Sequence, residues 1–530
     1  MKRHFLIILT AVLACACTPD SRNAAFRIPG ETGGESGHEQ IILGRRLEDP
    51  YEVSNVTKAL KSLYPTKAER AVIEATDKYV RFLPLDDSDM QKLLDAGVEL
   101  LDHPMDFEIL REGDYYHDPS IPDDRITWQY GVVPVGFEPP AGIMFEELHD
   151  CFLVENASAT KGLLDGVDWN AVEKESFRLT GNGAMIPSDG TKASGAEGKV
   201  PEGRIAIMDN DYDTEPIGVA GVKVSCNVFV KIATAFTDER GYYRMSKEFS
   251  SDLRYRIVFA NKKGFKLGFN LILVPGSVST LGKHGPQGCS VTIDGAQDGA
   301  LFRRSVVNNA AYDYYSNCKS NSDGNIKLPP SNLRIWIFPF MSRSCAPMFQ
   351  QGVIINSDLM TTLLGSYTFL VKMFLPDVIL GINGCNDYAS IYRCTIHELA
   401  HSSHYMQVGT DYWETYFYYI VSSWIGSSGV TYGVGTEEDH GYCEVSEMWA
   451  YYLENAFHRD RYPDSYTLSG TSYWFYPQIL MYLDDKGINR YRIFRALTAD
   501  VHDRDILRAK LSSLYPECKT FINEAFIRYN

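Results

Sequence analysis

The sequence predicts a multidomain α+β protein, and three observations lead to that class. The chain has 530 residues, more than one hydrophobic core usually supports, so several domains are expected. Residues 201–275 alternate apolar and polar side chains between turn signals, which is the pattern of a small β-sandwich. Beyond residue 276, two strand-like runs precede an almost wholly helical stretch that begins after Tyr388, an order typical of an α+β domain.

Residues 1–17 have the composition of a secretory signal. Lys2 and Arg3 give a basic start, an apolar run follows, and small residues and cysteines end the segment. This ending resembles the lipobox of bacterial lipoproteins, which implies a lipid anchor in a bacterial membrane through Cys15 or Cys17. The resemblance also implies a location in the bacterial cell envelope, periplasmic or surface-exposed. A plain cleaved signal without lipid is the alternative.

Two segments are expected between the signal and the sandwich. Residues 18–65 are predicted to form a tether, because the stretch up to Gly44 is rich in Gly, Ser and Glu. Residues 66–200 are predicted to form an α/β module. In this module "KYVRFLPL" reads as a strand, and Asp86 can cap a helix whose apolar residues, from Met90 onward, recur at helical spacing.

Charge and cysteine content limit the partners and the covalent structure. The formal net charge of −17 would repel phosphate backbones, so nucleic acid is excluded as a partner. Nine cysteines follow the signal segment. An odd number cannot pair completely within one chain, and the sequence does not reveal which of them pair.

The sandwich segment carries a recognisable pattern. Pro216, the strand Gly221–Val224, the Thr237-Asp238 pair and the Gly241-Tyr242 pair occur in order along it. These residues resemble the carboxypeptidase regulatory-like, transthyretin-like fold. The resemblance implies a supporting or substrate-positioning role for this domain. An unrelated small sandwich is the alternative.

The strongest chemical signal is "HELAH" in the C-terminal domain, residues 276–530. On a helix, His397 and His401 lie one turn apart, so both imidazoles can bind one metal ion. Zinc (Zn²⁺) suits such ligands and needs a third protein ligand in a catalytic site. Glu398 follows the first histidine and can accept a proton from water activated by the metal. The motif therefore predicts metal-assisted hydrolysis.

These residues resemble the zincin metallopeptidases. The metzincin subgroup would need glycine at 404 and histidine at 407, where this chain has His404 and Gln407. The gluzincin subgroup takes its third ligand from a glutamate on a later helix. The segment "EMWAYY" resembles that helix, which implies Glu447 as the ligand and leaves Glu444 as the alternative.

Two further residues near the motif are weighed. The resemblance implies an oxyanion-stabilising tyrosine or histidine near the third ligand, and Tyr442 is chosen for that catalytic role. His404 lies about 60° around the helix from His401. It is expected to support the site from outside the ligand set or to lie on the surface.

The expected function is zinc-dependent hydrolysis of peptide bonds in an extracellular or periplasmic peptide or protein, glycosylated substrates included. The alternative is a surface lipoprotein that binds glycan or protein, in which the metal site is inactive or structural. Glu398 favours the peptidase, because a purely structural site has no use for a glutamate that binds no metal.

Overall fold

The computed structural model describes residues 40–68, 72–122, 125–157, 165–187, 198–212, 215–268, 277–295, 299–318, 322–339, 342–353, 376–426 and 432–529. Helices and sheets both occur throughout these residues, which confirms the α+β class. The predicted signal and both candidate anchor cysteines lie outside them. Among the described helices, none has the length and apolar character that crossing a bilayer requires. All nine cysteines beyond the signal are free thiols.

An N-terminal module comprises residues 40–187. Its elements are β1 (Ile42–Arg46), α1 (Val53–Leu63), α2 (Pro65–Ala68), β2 (Asp77–Leu83), α3 (Asp87–Asp95), β3 (Phe107–Arg111), β4 (Gln129–Pro134), β5 (Met144–Cys151) and α4 (Trp169–Leu179). β4, β2 and β5 form an antiparallel sheet in that order, and β1 pairs antiparallel with β3. The predicted cap of α3 is confirmed, because the Asp86 side chain accepts a hydrogen bond from the Asp89 N–H.

The predicted tether is wrong at its C-terminal end. Strand β1 and helix α1 lie within residues 18–65, and both pack into the module. Helix α1 packs against α4 and buries Val56, Ala59 and Leu60 on one face. The partners of β1 and α1 lie far along the chain, at β3 and α4, so local composition gave no sign of this packing.

Two sheets with mainly antiparallel strands follow the module. Their elements are β6 (Glu202–Ile207), β7 (Ile217–Gly218), β8 (Lys223–Val228), β9 (Lys231–Phe236), β10 (Tyr242–Arg244), β11 (Leu253–Val258), β13 (Val278–His284) and β14 (Val291–Ile293). One sheet has the order β13–β11–β8–β9; the other has β10–β6–β14, with β7 also on β6. Buried residues of both sheets, such as Ile205 and Ile257, belong to one apolar core.

The predicted boundary of this sheet region at residue 275 is too early. Strand β13 pairs antiparallel with β11, and β14 pairs parallel with β6. Both strands therefore complete the two sheets, which extend to Ile293. The strands are short and separated by glycines, so their partners are set by pairing at a distance and not by a local period.

The C-terminal part begins with a small parallel sheet in the order β12 (Lys266–Leu267), β15 (Arg334–Phe338) and β16 (Val378–Gly381). The last two are the strands expected from the sequence. The helices are α5 (Gly299–Asn317), α6 (Tyr388–Val408), α7 (Thr410–Gly426), α8 (His440–Arg461), α9 (Gln478–Asp485), α10 (Arg490–Ala496), α11 (Arg504–Leu514) and α12 (Lys519–Arg528).

Helix α6 lies at the centre of this part. It packs against α5, α7 and α8, and most of its residues are buried. The fully buried Trp449 of α8 donates its indole N–H to the Ala400 carbonyl of α6 at 3.1 Å. Because that bond joins two helix interiors, it fixes the position of α8 along α6. This contact brings the "EMWAYY" segment of α8 next to the "HELAH" turn of α6.

The N-terminal module carries most of the chain's negative charge. Residues 40–187 contain 28 Asp and Glu but only 14 Lys and Arg, a net charge of −14 out of −17. Ion pairs join it to basic residues of the following domains: Glu99 to Lys223, Glu112 to Arg254, Asp114 to Arg304, Glu173 to Lys231 and Asp87 to Arg334. The acidic N-terminal module therefore contacts the following domains through their basic residues.

The Glu173–Lys231 pair is the most buried of these contacts. The two side chains are 9% and 4% exposed, with nitrogen and oxygen 3.0 Å apart. We expect Glu173→Ala to lower the free energy of unfolding by about 3 kcal/mol, because it leaves the Lys231 ammonium buried with reduced compensation. Chemical denaturation measures this loss.

Glu147→Ala is the matched control within the module. Its partner Lys78 is 27% exposed and Glu147 itself 50% exposed, so the loss should be much smaller than in Glu173→Ala, because solvent screens an exposed pair. Equal losses in the two variants would contradict a special role for the buried pair.

Candidate metal centre

Two histidines of α6 form the base of the site. Asp387 caps the N-terminus of this helix, and its carboxylate accepts the Ser390 N–H at 2.7 Å. One helical turn separates His397 from His401, and their ring centroids lie 4.9 Å apart. The residues are 4% and 1% exposed. Both imidazoles are thus held in the protein interior and face the same neighbour on α8.

That neighbour is Glu447. Its Oε2 lies 3.4 Å from His397 Nε2, and its Oε1 lies 3.5 Å from His401 Nε2. One ligand atom from each of the three residues lies within 4.8 Å of the others. Zinc–ligand bonds of about 2.0–2.1 Å in tetrahedral geometry place ligand atoms about 3.3–3.4 Å apart. The observed spacing fits an ion between the three side chains.

The sequence left Glu444 open as the alternative ligand. The structure turns this residue away from the histidines, because its Oε2 accepts the Arg504 backbone N–H at 3.0 Å. Its Oε1 lies 3.3 Å from the Arg504 guanidinium. Glu444 therefore links α8 to the start of α11, and Glu447 is the glutamate that the structure brings to the histidines.

A second glutamate of α8, Glu454, orients the first histidine. His397 Nδ1 lies 3.1 Å from Glu454 Oε2. The other oxygen of Glu454 accepts from Arg393 Nε at 3.0 Å and from Ser469 Oγ at 2.5 Å. With Nδ1–H donating to this carboxylate, Nε2 is the ring atom that faces Glu447, and it can bind a metal once it has lost its proton. Sequence analysis missed Glu454, although it lies two turns after Glu447 on the same helix face.

A tyrosine of α7 orients the glutamate. The buried Tyr416 hydroxyl donates to Glu447 Oε1 at 2.6 Å, and the Tyr416 ring lies 5.7 Å from the His401 ring. This bond engages one carboxylate oxygen and leaves the other directed at His397. Sequence analysis had no signal for Tyr416, because α7 is rich in tyrosines and no spacing distinguishes this one.

The residue chosen for oxyanion stabilisation, Tyr442, packs against other aromatic rings. Tyr442 stacks on His502 with ring centroids 5.1 Å apart and meets Tyr412 edge-on at 4.6 Å. These contacts give no support to the catalytic role predicted for it. His404 is fully buried against Tyr412 and Trp413, which excludes the surface position. Burial lowers the pKa of His404 to about 3, so its ring is neutral.

The buried carboxylates of the centre need a positive charge close to them. Burial alone lowers the pKa of His397, but the nearby carboxylates of Glu447 and Glu454 outweigh burial and raise this pKa to about 10. Burial opposes ionisation of Glu447 as well, yet His401 and His397 hold the pKa of this carboxyl well below its usual range. A proton on His397 or a cation between the rings can balance the buried carboxylates.

The donor set fits a zinc ion. Among the described residues, His397 Nε2 and both ring nitrogens of His401 have no hydrogen-bond partner, although all three atoms are buried. Buried polar atoms are rarely left without partners, and a cation bound between the rings would supply a partner for the Nε2 atoms. Two imidazoles and one carboxylate are a known zinc donor set of the catalytic type, in which a fourth position stays open.

Another group with metal-ligating atoms lies in the N-terminal module and comprises Asp49, His149 and Cys151. Here the polar atoms already have partners within the protein. His149 Nε2 lies 2.9 Å from Asp49 Oδ2, and Asp49 Oδ1 accepts the Tyr51 N–H at 2.8 Å. This hydrogen-bonded pair joins the segment before α1 to strand β5. A structural role therefore explains this group without a metal ion.

Comparison of the chain with protein-family models, with curated proteins and with solved structures finds no match. The functional argument therefore depends on the residues of the centre and their geometry.

Zinc binding should release at least one proton at pH 7. Without metal, His397 has a pKa of about 10 and is protonated at pH 7, whereas ligation needs an unprotonated Nε2. Zinc affinity should accordingly rise as the pH increases from about 6 to 9. Isothermal titration in buffers of different ionisation enthalpy measures the proton count. A count of zero would contradict the protonated state of metal-free His397.

Removal of the Tyr416 hydroxyl should weaken zinc binding. We expect Tyr416→Phe to raise the zinc dissociation constant by about 10–100-fold, because the Glu447 carboxylate loses the bond that orients it. Competition with a chromophoric chelator measures the constant. Tyr419→Phe is the control on the same helix, since the Tyr419 hydroxyl donates to the Tyr432 carbonyl and to Glu437. Equal constants for the two variants would refute the role of Tyr416.

Proposed function

We propose that the protein is a zinc-dependent peptidase. The observation that carries the proposal is the convergence of His397, His401 and Glu447 on one point, with Glu398 adjacent to the first histidine. The three ligands fit a zinc ion, and the remaining glutamate fits a proton acceptor. A bound zinc ion would supply Lewis acidity toward a carbonyl oxygen and would lower the pKa of water.

Glu398 has the environment of a general base. It is 1% exposed, and among the described residues neither of its carboxylate oxygens has a hydrogen-bond partner. Burial raises its pKa to about 8, with Glu447 and Glu454 adding to the effect. A carboxylate poised near neutral pH can take a proton from the attacking water and return it to the leaving amine.

The surrounding residues position this machinery. Glu454 fixes the orientation and tautomer of His397, and Tyr416 fixes the Glu447 carboxylate. Arg393 and Ser469 in turn hold Glu454 in place. Each of these side chains acts by orienting a metal ligand and needs no contact with the substrate.

The broader proposal follows the sequence resemblances. The C-terminal part would be a gluzincin-like domain, and the sheets before it a transthyretin-like sandwich that supports or positions substrate. The N-terminal signal would place the enzyme in a bacterial envelope as a lipoprotein. Its substrate would be an extracellular or periplasmic peptide or protein, glycosylated proteins included.

The test separates chemistry from metal binding. Glu398→Gln keeps all three ligands, so its zinc content should equal that of the wild type. Its cleavage rate on a peptide library should fall by about 10²–10⁴-fold, because the proton acceptor is lost. Glu444→Gln is the control on α8 and should retain activity, since that residue contacts Arg504 and not the histidines. Equal cleavage by the wild type and Glu398→Gln would end the peptidase assignment.

A second candidate is a binding lipoprotein in which the metal is structural. Burial favours it, because His397, His401 and Glu447 are 4%, 1% and 0% exposed, and structural zinc sites are closed to solvent. In that case zinc removal would lower the melting temperature, and neither the wild type nor Glu398→Gln would cleave peptides.

A further inference from the structure

A cavity of about 180 Å³ lies between the N-terminal module and the sheets that follow it. None of its lining residues belongs to the metal centre. A water molecule occupies about 30 Å³ of the liquid, so this space can hold several waters or one small organic molecule. Its walls carry an unusual number of charged side chains for an enclosed site: Glu99, Asp102, Glu112 and Asp114 from the module, and Lys223, Arg254, Arg256 and Lys266 from the other side.

Arg256 is the most deeply buried cation in this wall. It lies on β11, is 9% exposed, and donates to Asn227 Oδ1 at 2.9 Å. Among the described residues, no carboxylate lies within ion-pair distance of its guanidinium. Burial lowers the pKa of Arg256 to about 10, against an ordinary value of 12.5. A guanidinium has five donors, and one hydrogen bond to an amide leaves much of its capacity directed at the cavity.

The acids of the wall already have other cations or donors. Glu99 pairs with Lys223, Glu112 with Arg254, and Asp114 with Arg304. Asp102 accepts from His103 Nδ1 at 2.7 Å and from the Tyr116 N–H at 2.6 Å.

These pairings leave Arg256 as the cation of the wall without an ion pair. Lys266 donates to the amide oxygen of Gln91 at 3.2 Å and has the carboxylates of Asp87 and Asp95 near it. Among the described residues, the Arg256 guanidinium has only the Asn227 amide oxygen as an acceptor. A buried guanidinium with unused donors beside a cavity is costly unless a ligand or water accepts from them.

We infer that this cavity is a binding site for a small carboxylate. A carboxylate would pair with the Arg256 guanidinium, whose planar shape matches a carboxylate with two parallel hydrogen bonds. The volume limits the ligand to a few heavy atoms beyond the carboxylate. Because the ligand would contact both the module and β11, its binding would also tighten the junction between them.

The experiment uses the full chain, with sodium acetate as the probe and sodium chloride at equal ionic strength as the reference. Acetate should raise the melting temperature saturably by about 2–5 °C, because a ligand that binds only the folded state stabilises it. Arg256→Gln should abolish this response. Arg204→Gln removes an arginine of β6 that does not line the cavity and should keep the response.

Ser225→Asp provides an independent variant should Arg256→Gln fail to fold. Ser225 lines the cavity and lies opposite Arg256 in the β8–β11 pairing, so an aspartate there supplies the counter-ion from within the chain. This variant should melt higher than the wild type without acetate and should no longer respond to acetate. A response that survives in Ser225→Asp overturns the inference. Acetate that appears in a crystal at crystallisation concentrations, without a saturable shift of the melting temperature in solution, would be an adventitious ion only. That outcome also overturns the inference.

Discussion

The burial of carboxylates beside two imidazoles is the constraint on which the C-terminal domain depends. Glu398 and Glu447 are 1% and 0% exposed, and an ionised carboxylate in such surroundings is stable only with a compensating charge or donor. Protein donors satisfy part of this need, through Tyr416 at Glu447. The rest falls to a proton on His397 or to a cation bound between the rings. Metal binding at this centre would therefore be linked to folding, because the same atoms would serve both.

The packing of α6 on α8 converts this constraint into a specific geometry. The Trp449 bond to the Ala400 carbonyl fixes how far the two helices are displaced along each other. A displacement by one turn would bring Glu444 or Tyr451 opposite the histidines in place of Glu447. The segment after α8 adds a second constraint, since Ser469 folds back onto Glu454. The three candidate ligands are thus held by residues within helices and not by loops.

Charge also organises the junction between the N-terminal module and the rest of the chain. The module carries a net charge of −14, and its acids meet basic residues of the sheets and of α5. Apolar contacts such as Phe177 on Phe229, 5.9 Å apart, add affinity at the same junction. Charge complementarity specifies which faces meet, and burial of apolar surface supplies most of the stabilisation. Arg256 is an exception within this pattern, because no carboxylate of the described residues lies within ion-pair distance of its guanidinium.

The sequence by itself determined what depends on local spacing. Helical geometry places His397 and His401 one turn apart wherever that helix packs, and Asp86 caps its helix through atoms three residues away. The strands at 334–338 and 378–381 were likewise evident from short apolar runs. The order of strands before helices was sufficient to predict the α+β class.

Tertiary structure decided everything that depends on contacts distant in the chain. The rotation of α8 selected Glu447 over Glu444, and the packing of α7 brought in Tyr416 while Tyr442 came to lie against His502. The extension of the sheets to residue 293 and the folding of residues 42–63 into the module have the same origin. Periodicity encodes which face of an element is buried, but the partner of that face is chosen by packing and charge compensation across the whole molecule.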